Sequence, residues 1–279
     1  KRQMMENTKK CLIVGLPNAG KSTYIGAFWA IEKDGGTGHK LTCKEYPSDT
    51  TYLDALKKSW LEQTVVSRTV NIEPQEIHLK LHSETTGNTL ELHIPDFKGE
   101  VFQRILSNNV IEKAVQWCRE TDCILYFIKY AKEDILQDEI PQTSESIEPV
   151  QTEFARTEST TMQIEDISEW TQNIMLLKYL HTQVDHNIPL AICISAWDKV
   201  NTNLPIESWI ESKHPFLYNF IRHHFTNVKY YGVSAQGLEY KDEKFDEYQR
   251  LTELKQRAYV YTDNKSHDIT EPFDFLITQ

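Results

Sequence analysis

Nine consecutive residues, Gly15-Leu16-Pro17-Asn18-Ala19-Gly20-Lys21-Ser22-Thr23, constrain this chain more than any other stretch. A short apolar run, Cys11-Leu12-Ile13-Val14, precedes them, and a helix-like run over residues 24–31 follows. Strand, glycine-rich loop and helix in that order make a cradle for phosphate groups. Gly15 and Gly20 let the backbone turn tightly, so that several amide N–H groups point inward. The helix N-terminus adds a partial positive charge. Lys21 can reach the β- and γ-phosphates of a nucleotide, and the Ser22 hydroxyl can ligate Mg²⁺. Gly15, Asn18, Ala19, Gly20, Lys21, Ser22 and Thr23 are therefore the candidate phosphate-binding set.

The rest of the composition bounds what surrounds this cradle. The 279 residues are 39% hydrophobic and carry a formal net charge of -11. That is enough apolar material for a sizeable core, and one domain over 1–279 is expected. The negative charge argues against nucleic acid or an anionic membrane as a general partner. Five scattered cysteines and no paired CxxC pattern read as reduced thiols rather than a disulfide framework or a zinc site. No apolar run approaches membrane-spanning length, so a cytoplasmic chain is expected.

Along the chain, helical patterns are expected over residues 21–31, 48–63, 101–120, 167–184, 205–224 and 270–277, with a break near His214-Pro215. Ser48 or Asp49 is placed to cap the second of these. Residues 77–82 and 90–94 alternate apolar and polar around Ser83-Glu84-Thr85-Thr86-Gly87-Asn88, which reads as a hairpin. His78, His82 and His93 fall on its polar positions and read as solvated strand faces. Residues 123–128, 190–194 and 228–233 are apolar runs of the kind buried on both faces of a parallel sheet. A short strand over 258–262 and a charged, helix-like stretch over 239–257 complete the pattern. Residues 132–166 contain ten Asp or Glu against two Lys or Arg, and read as an acidic, mobile insertion. Strands alternating with helices predict a three-layer α/β/α fold with a mainly parallel sheet and one antiparallel hairpin strand.

Three further motifs each follow an expected strand, which is where ligands bind in open α/β sheets. Asp96-Phe97-Lys98-Gly99 offers a carboxylate for Mg²⁺ through water and a glycine amide for a γ-phosphate. Ser195-Ala196-Trp197-Asp198 offers a carboxylate that can accept from both guanine N1–H and its exocyclic amine, a pattern adenine does not present. Gly232-Val233-Ser234-Ala235-Gln236-Gly237 offers a small residue whose backbone N–H can meet a base carbonyl.

With all four motifs in this order, the chain resembles the Ras-like GTPases of the translation-factor-related P-loop class. His267-Asp268-Ile269-Thr270-Glu271-Pro272, the Gly99-Glu100 pair, Trp60 and Arg68-Thr69 resemble, more narrowly, bacterial double-GTPase-type domains of conflict or defence systems. The resemblance implies a P-loop NTPase fold, GTP and GDP as ligands, Mg²⁺, and a switch read by protein partners, encoded nearby, or by a second copy of the chain. It implies that Thr69 closes over Mg²⁺, with Thr64 and Thr50 as alternatives. It further implies that Arg68 acts in cis on the transition state, that Glu100 positions the attacking water, and that Asn18 helps hold potassium. Ala196 and Gln236 stand where the family carries lysine. Trp197 has two readings, a stacking surface for the base or a core residue. Two rival functions stay open: an ATPase or phosphoryl transferase on the same loop, and a nucleotide-stabilised interaction module with little turnover.

Overall fold

The computed structural model describes residues 8–34, 39–64, 76–95, 105–106, 112–130, 167–184, 187–238, 243–244, 246, 250 and 253–279. Among the described residues nine strands form one sheet: β1 (Thr8–Gly15), β2 (Leu41–Glu45), β3 (Glu76–Ser83), β4 (Thr89–Pro95), β5 (Cys123–Lys129), β6 (Leu190–Ser195), β7 (Val228–Ser234), β8 (Tyr259–Tyr261) and β9 (Lys265–Ser266). Their order is β2-β3-β4-β1-β5-β6-β7-β8-β9. The centre, β4-β1-β5-β6-β7, is parallel. The edges are antiparallel: β2 and β3 beyond β4, β8 and β9 beyond β7. The α/β class is as expected, with antiparallel edges wider than the single hairpin strand. The sequence pattern held no clear signal for β2 or β9.

Seven helices are seen among the described residues: α1 (Lys21–Lys33), α2 (Thr51–Leu61), α3 (Glu112–Glu120), α4 (Glu169–Gln183), α5 (Ile206–Lys213), α6 (Pro215–His224) and α7 (Glu271–Thr278). The break between α5 and α6 falls at His214, whose ψ of 57° is not helical. A residue before proline is pushed out of the α region, and Pro215 then opens the next helix at a position where its missing N–H costs nothing. The N-cap of α2 is Thr50 rather than Ser48 or Asp49, and the Asp49 carboxylate accepts the Thr51 N–H at 2.9 Å. The described end of the charged 239–257 stretch is a 3-10 turn over Leu254–Arg257.

The central strands are apolar on both faces because both are covered. Cys11 and Ile13 of β1, and Leu125 and Phe127 of β5, join α1, α2 and α7 in one core. Leu12 and Val14, with Ile124 and Tyr126, join α3 to α6 in the other. The period of two along each strand makes this division. Helix α1 is buried from Tyr24 to Ile31. Its outer face is closed by α2, where a Cβ added to Gly26 would stand 2.7 Å from the Leu56 carbonyl oxygen.

The His267–Pro272 stretch ties distant parts together. The Asp268 carboxylate accepts the Thr270 N–H at 2.9 Å and the Lys40 N–H at 2.9 Å. The Tyr24 hydroxyl donates to the Ile269 carbonyl. These bonds anchor the start of α7 and the run into β2 against α1.

β1 has β4 on one side and β5 on the other, so the chain changes direction across it. The loop that follows β1 thus sits at the topological switch point of the sheet, the place where open α/β sheets leave a crevice.

Candidate functional site

At the end of β1 the backbone passes so close to β5 that no side chain fits. A Cβ on Gly15 would lie 2.5 Å from the Phe127 carbonyl oxygen. Asn18 at φ 60° and Gly20 at φ 89° are both left-handed, and they reverse the chain into α1. Asn18 is exposed and Ala19 buried, with the Ala19 N–H donating to the Leu16 carbonyl at 3.3 Å. Helix α1 starts after Gly20 with no side-chain cap and no acidic residue in its first turn. Its first internal bond runs from the Tyr24 N–H to the Gly20 carbonyl at 3.0 Å. The amides of Lys21, Ser22 and Thr23 therefore precede the helical ladder, and the positive end of the helix is left for an external anion.

Lys21 folds back over this loop. Its Nζ donates to the Gly15 carbonyl at 2.6 Å and to the Leu16 carbonyl at 2.8 Å. Burial of the ammonium lowers its pKa to about 7. A polyphosphate placed beside it would restore the charged form, because an opposite charge favours ionisation. The sign follows from linkage. Above about pH 7 the protein alone has released the proton, and binding a polyphosphate takes it back. Between pH 7.5 and 9, above the titration of a terminal phosphate near pH 6, affinity for a nucleoside triphosphate is expected to fall as pH rises. The limit is about tenfold per unit. Calorimetry in buffers of different ionisation enthalpy should report uptake of one proton at most.

The Ser195-Ala196-Trp197-Asp198 stretch leaves β6 directly beside this loop. A Cβ on Gly20 would lie 2.8 Å from Ser195 Cβ. Ala196 is left-handed at φ 55°, and a 3-10 turn over Trp197–Lys199 follows. Trp197 is buried, stacked on Tyr261 at 5.6 Å and edge-on to Trp209 at 5.1 Å. A Cβ on Gly232 would fall 2.3 Å from its ring. Of its two readings the core one holds: the indole packs against the β7 backbone, and only glycine allows that approach.

Asp198 is exposed, and its Oδ1 accepts the Ser234 hydroxyl at 2.6 Å. The same hydroxyl oxygen accepts the Gly237 N–H at 3.1 Å. Ser234 thus braces the carboxylate against the loop after β7. Sequence reasoning missed what holds that loop from the other side. The Trp60 indole N–H, at the end of α2, donates to the Ala235 carbonyl at 2.7 Å. The Trp60 carbonyl in turn accepts from Gln236 Nε2 at 3.3 Å and from Arg257 at 3.2 Å, with the guanidinium 4.2 Å from the indole ring centre. Gln236, standing where lysine is usual, is buried and bonded into this knot. In the sequence, Trp60 showed as an apolar position of the 48–63 helical pattern and as part of the family resemblance, and neither signalled this bond.

Arg68, Thr69, Asp96, Gly99 and Glu100, and the 132–166 insertion, lie outside the described residues. Of the alternatives to Thr69, the Thr50 hydroxyl donates to Asp54 at 2.7 Å at the start of α2, and the Thr64 N–H closes the end of α2 on the Ser59 carbonyl at 2.9 Å. Strand β4 ends at Pro95, with Leu12 of β1 opposite His93, so its carboxyl end stands beside that of β1. No helix among the described residues is long and apolar enough to cross a membrane.

A family description, Double-GTPase 1, matches residues 12–276. No curated protein matches the chain. One similar solved structure is described as "Crystal Structure Analysis of sup35 complexed with GDP". It shares 13% identity over 82% of this chain, with a TM-score of 0.36. The match spans 38% of that protein's length.

Proposed function

The chain belongs to the Double-GTPase 1 family, and from that premise we propose that it binds GTP with Mg²⁺, hydrolyses it to GDP and phosphate, and acts as a switch. The observation that carries the reading is the contact between Gly20 and Ser195, which sets the phosphate cradle directly against the strand end bearing Asp198. One nucleotide can then present its phosphates to the α1 amides and Lys21, and its guanine to Asp198.

The residues fit the groups they are proposed to hold. The first turn of α1 is uncapped and free of acidic residues, and Lys21 already lies over the loop. Ser22 would hold Mg²⁺ with Thr69 and, through water, Asp96. The ion supplies charge neutralisation on the β- and γ-phosphate oxygens. The Gly99 amide is proposed to meet the γ-phosphate. Arg68 is proposed to steady the charge that develops in the transition state, and Glu100 to orient the attacking water. Asn18, left-handed and exposed beside the loop, is the proposed potassium contact. The Ser234 and Ala235 amides are proposed to meet the base. A protein partner, or a second copy of the chain, would read the switch. A defence setting rests on the resemblance of the 267–272 stretch, the Gly99-Glu100 pair, Trp60 and Arg68-Thr69 to bacterial double-GTPase domains.

The test is titration with fluorescent GTP and ATP analogues, with and without Mg²⁺, followed by phosphate release. GTP is expected to bind at least about tenfold more tightly than ATP, since a site built to accept two donors is left unpaired by adenine. Mg²⁺ should tighten binding and phosphate should appear slowly. Arg68→Ala and Glu100→Ala should slow release with affinity unchanged. Preference for ATP would make the protein an ATPase. Tight GTP binding without release would make it an interaction module.

A further inference from the structure

We propose that His78, Glu91 and His93 form a binding site for a divalent transition-metal ion of the zinc class, separate from the phosphate cradle. The hairpin register places them together. His78 of β3 lies directly opposite His93 of β4, and Glu91 precedes His93 by two positions on the same strand. The period of two keeps Glu91 and His93 on one face, turned away from Leu90, Leu92 and Ile94 in the core. The two rings meet edge to face with centres 4.2 Å apart. Glu91 Oε1 lies 3.1 Å from His78 Nδ1. One ligand atom from each residue lies within 4.8 Å of the others. From the sequence alone these histidines read as solvated strand faces; pairing across the hairpin is what gathers them.

The donor set decides the class of ion. Two imidazoles and one carboxylate suit Zn²⁺, Co²⁺, Ni²⁺ or Cu²⁺, whereas Mg²⁺ and Ca²⁺ take oxygen ligands. Bonds of about 2.0–2.1 Å in a tetrahedral site put ligand atoms roughly 3.3 Å apart. The His78–Glu91 pair, at 3.1 Å, is already near that spacing, and a ligand atom of His93 lies within 4.8 Å of both. The cluster opens on a pocket of about 450 Å³, lined also by Lys10, Gln116, Trp117 and Glu120. Its far wall is α3, so a fourth position for water or an external ligand faces a recess. Lys10 and Lys80 are opposing charges there among the described residues; Lys10 Nζ lies 3.5 Å from the Glu120 carboxylate, and Lys80, opposite Glu91 in the hairpin, lies 2.7 Å from the Glu45 carboxylate. His82, on the same hairpin, lies outside the cluster, with its Nδ1 3.3 Å from the Thr89 hydroxyl.

The experiment uses the full chain, stripped of metal with a chelator and titrated with Zn²⁺ alone by calorimetry. One ion per chain is expected. Affinity should fall at least about tenfold in His78→Ala and in His93→Ala, and stay unchanged in His82→Ala. Retained GTP-analogue binding by each variant shows that it is folded, and the zinc readout does not depend on nucleotide. In the unsubstituted chain, substoichiometric Zn²⁺ should perturb the ring resonances of two histidines, the two that disappear in the variants. The five thiols are among the competing zinc ligands, and four of them are buried. Failure of the chain to bind Zn²⁺, or binding that both histidine variants leave intact, would overturn the proposal.

Discussion

Replacing Lys21 by alanine is expected to lower affinity for GTP by roughly a hundredfold or more while leaving the fold intact. The Lys21 amine lies over the loop after β1, with 2.6 and 2.8 Å bonds to the loop's own carbonyls, and a bound polyphosphate favours its charged form. Moved onto phosphate, it makes charge-assisted hydrogen bonds of about 1.5–3 kcal/mol each. Two such bonds amount to roughly two to four powers of ten in the dissociation constant. The same substitution should cost the protein alone little. Burial already disfavours the charged form, and the loop conformation is set by Gly15, Asn18 and Gly20 rather than by the lysine. Paired measurements decide the point: the melting temperature without nucleotide, and a fluorescent-GTP titration. Affinity within threefold of the unsubstituted chain would remove the phosphate role from Lys21, and with it the proposed function.

The second large effect is expected at Asp198. Asp198→Ala should cost GTP roughly tenfold to a hundredfold or more in affinity and leave ATP nearly unchanged, so that the preference between the two purines collapses. Guanine offers two adjacent donors, and an ionised carboxylate has two oxygens with about four lone-pair sites. Ser234 occupies one of these at 2.6 Å and fixes the direction of the group. Each lost donor–carboxylate bond is worth about 1.5–3 kcal/mol. Ser234→Ala separates reading from bracing: it keeps the carboxylate and removes only its support, so its effect should be the smaller. An unchanged ratio of GTP to ATP affinity in Asp198→Ala would show that the carboxylate serves only to hold the Ser234–Gly237 loop.

Much of the fold was legible because its signals are local. An apolar run covered on both faces looks the same wherever it occurs, and β1, β5, β6 and β7 each carry one. The break at His214-Pro215 follows from the ring of a single proline. Strand β2 was not legible, since Leu-Thr-Cys-Lys-Glu has almost no pattern of its own. It is held by β3, by the Glu32 carboxylate on the Cys43 N–H at 2.9 Å, and by Asp268 and Thr270 at its start. For the site, the loop glycines, Lys21, Asp198 and Ser234 stood out because each follows a strand in a fixed order. Trp197 did not resolve, because an indole beside a base motif serves stacking and core packing equally well until its neighbours are known.

The amino-acid order by itself determined the tight loop proposed to hold phosphate, since a turn between a buried strand and a helix depends on residues within nine positions of one another. It also determined the alternation that makes a layered sheet. Only the folded chain decided which side chains meet across it. Trp60 bonds to Ala235, 175 positions away. Trp197 packs against the Gly232 backbone, and His78 faces His93 across a hairpin. Such contacts depend on register and on the approach of separate elements, and these are settled when the whole core packs rather than in any short stretch.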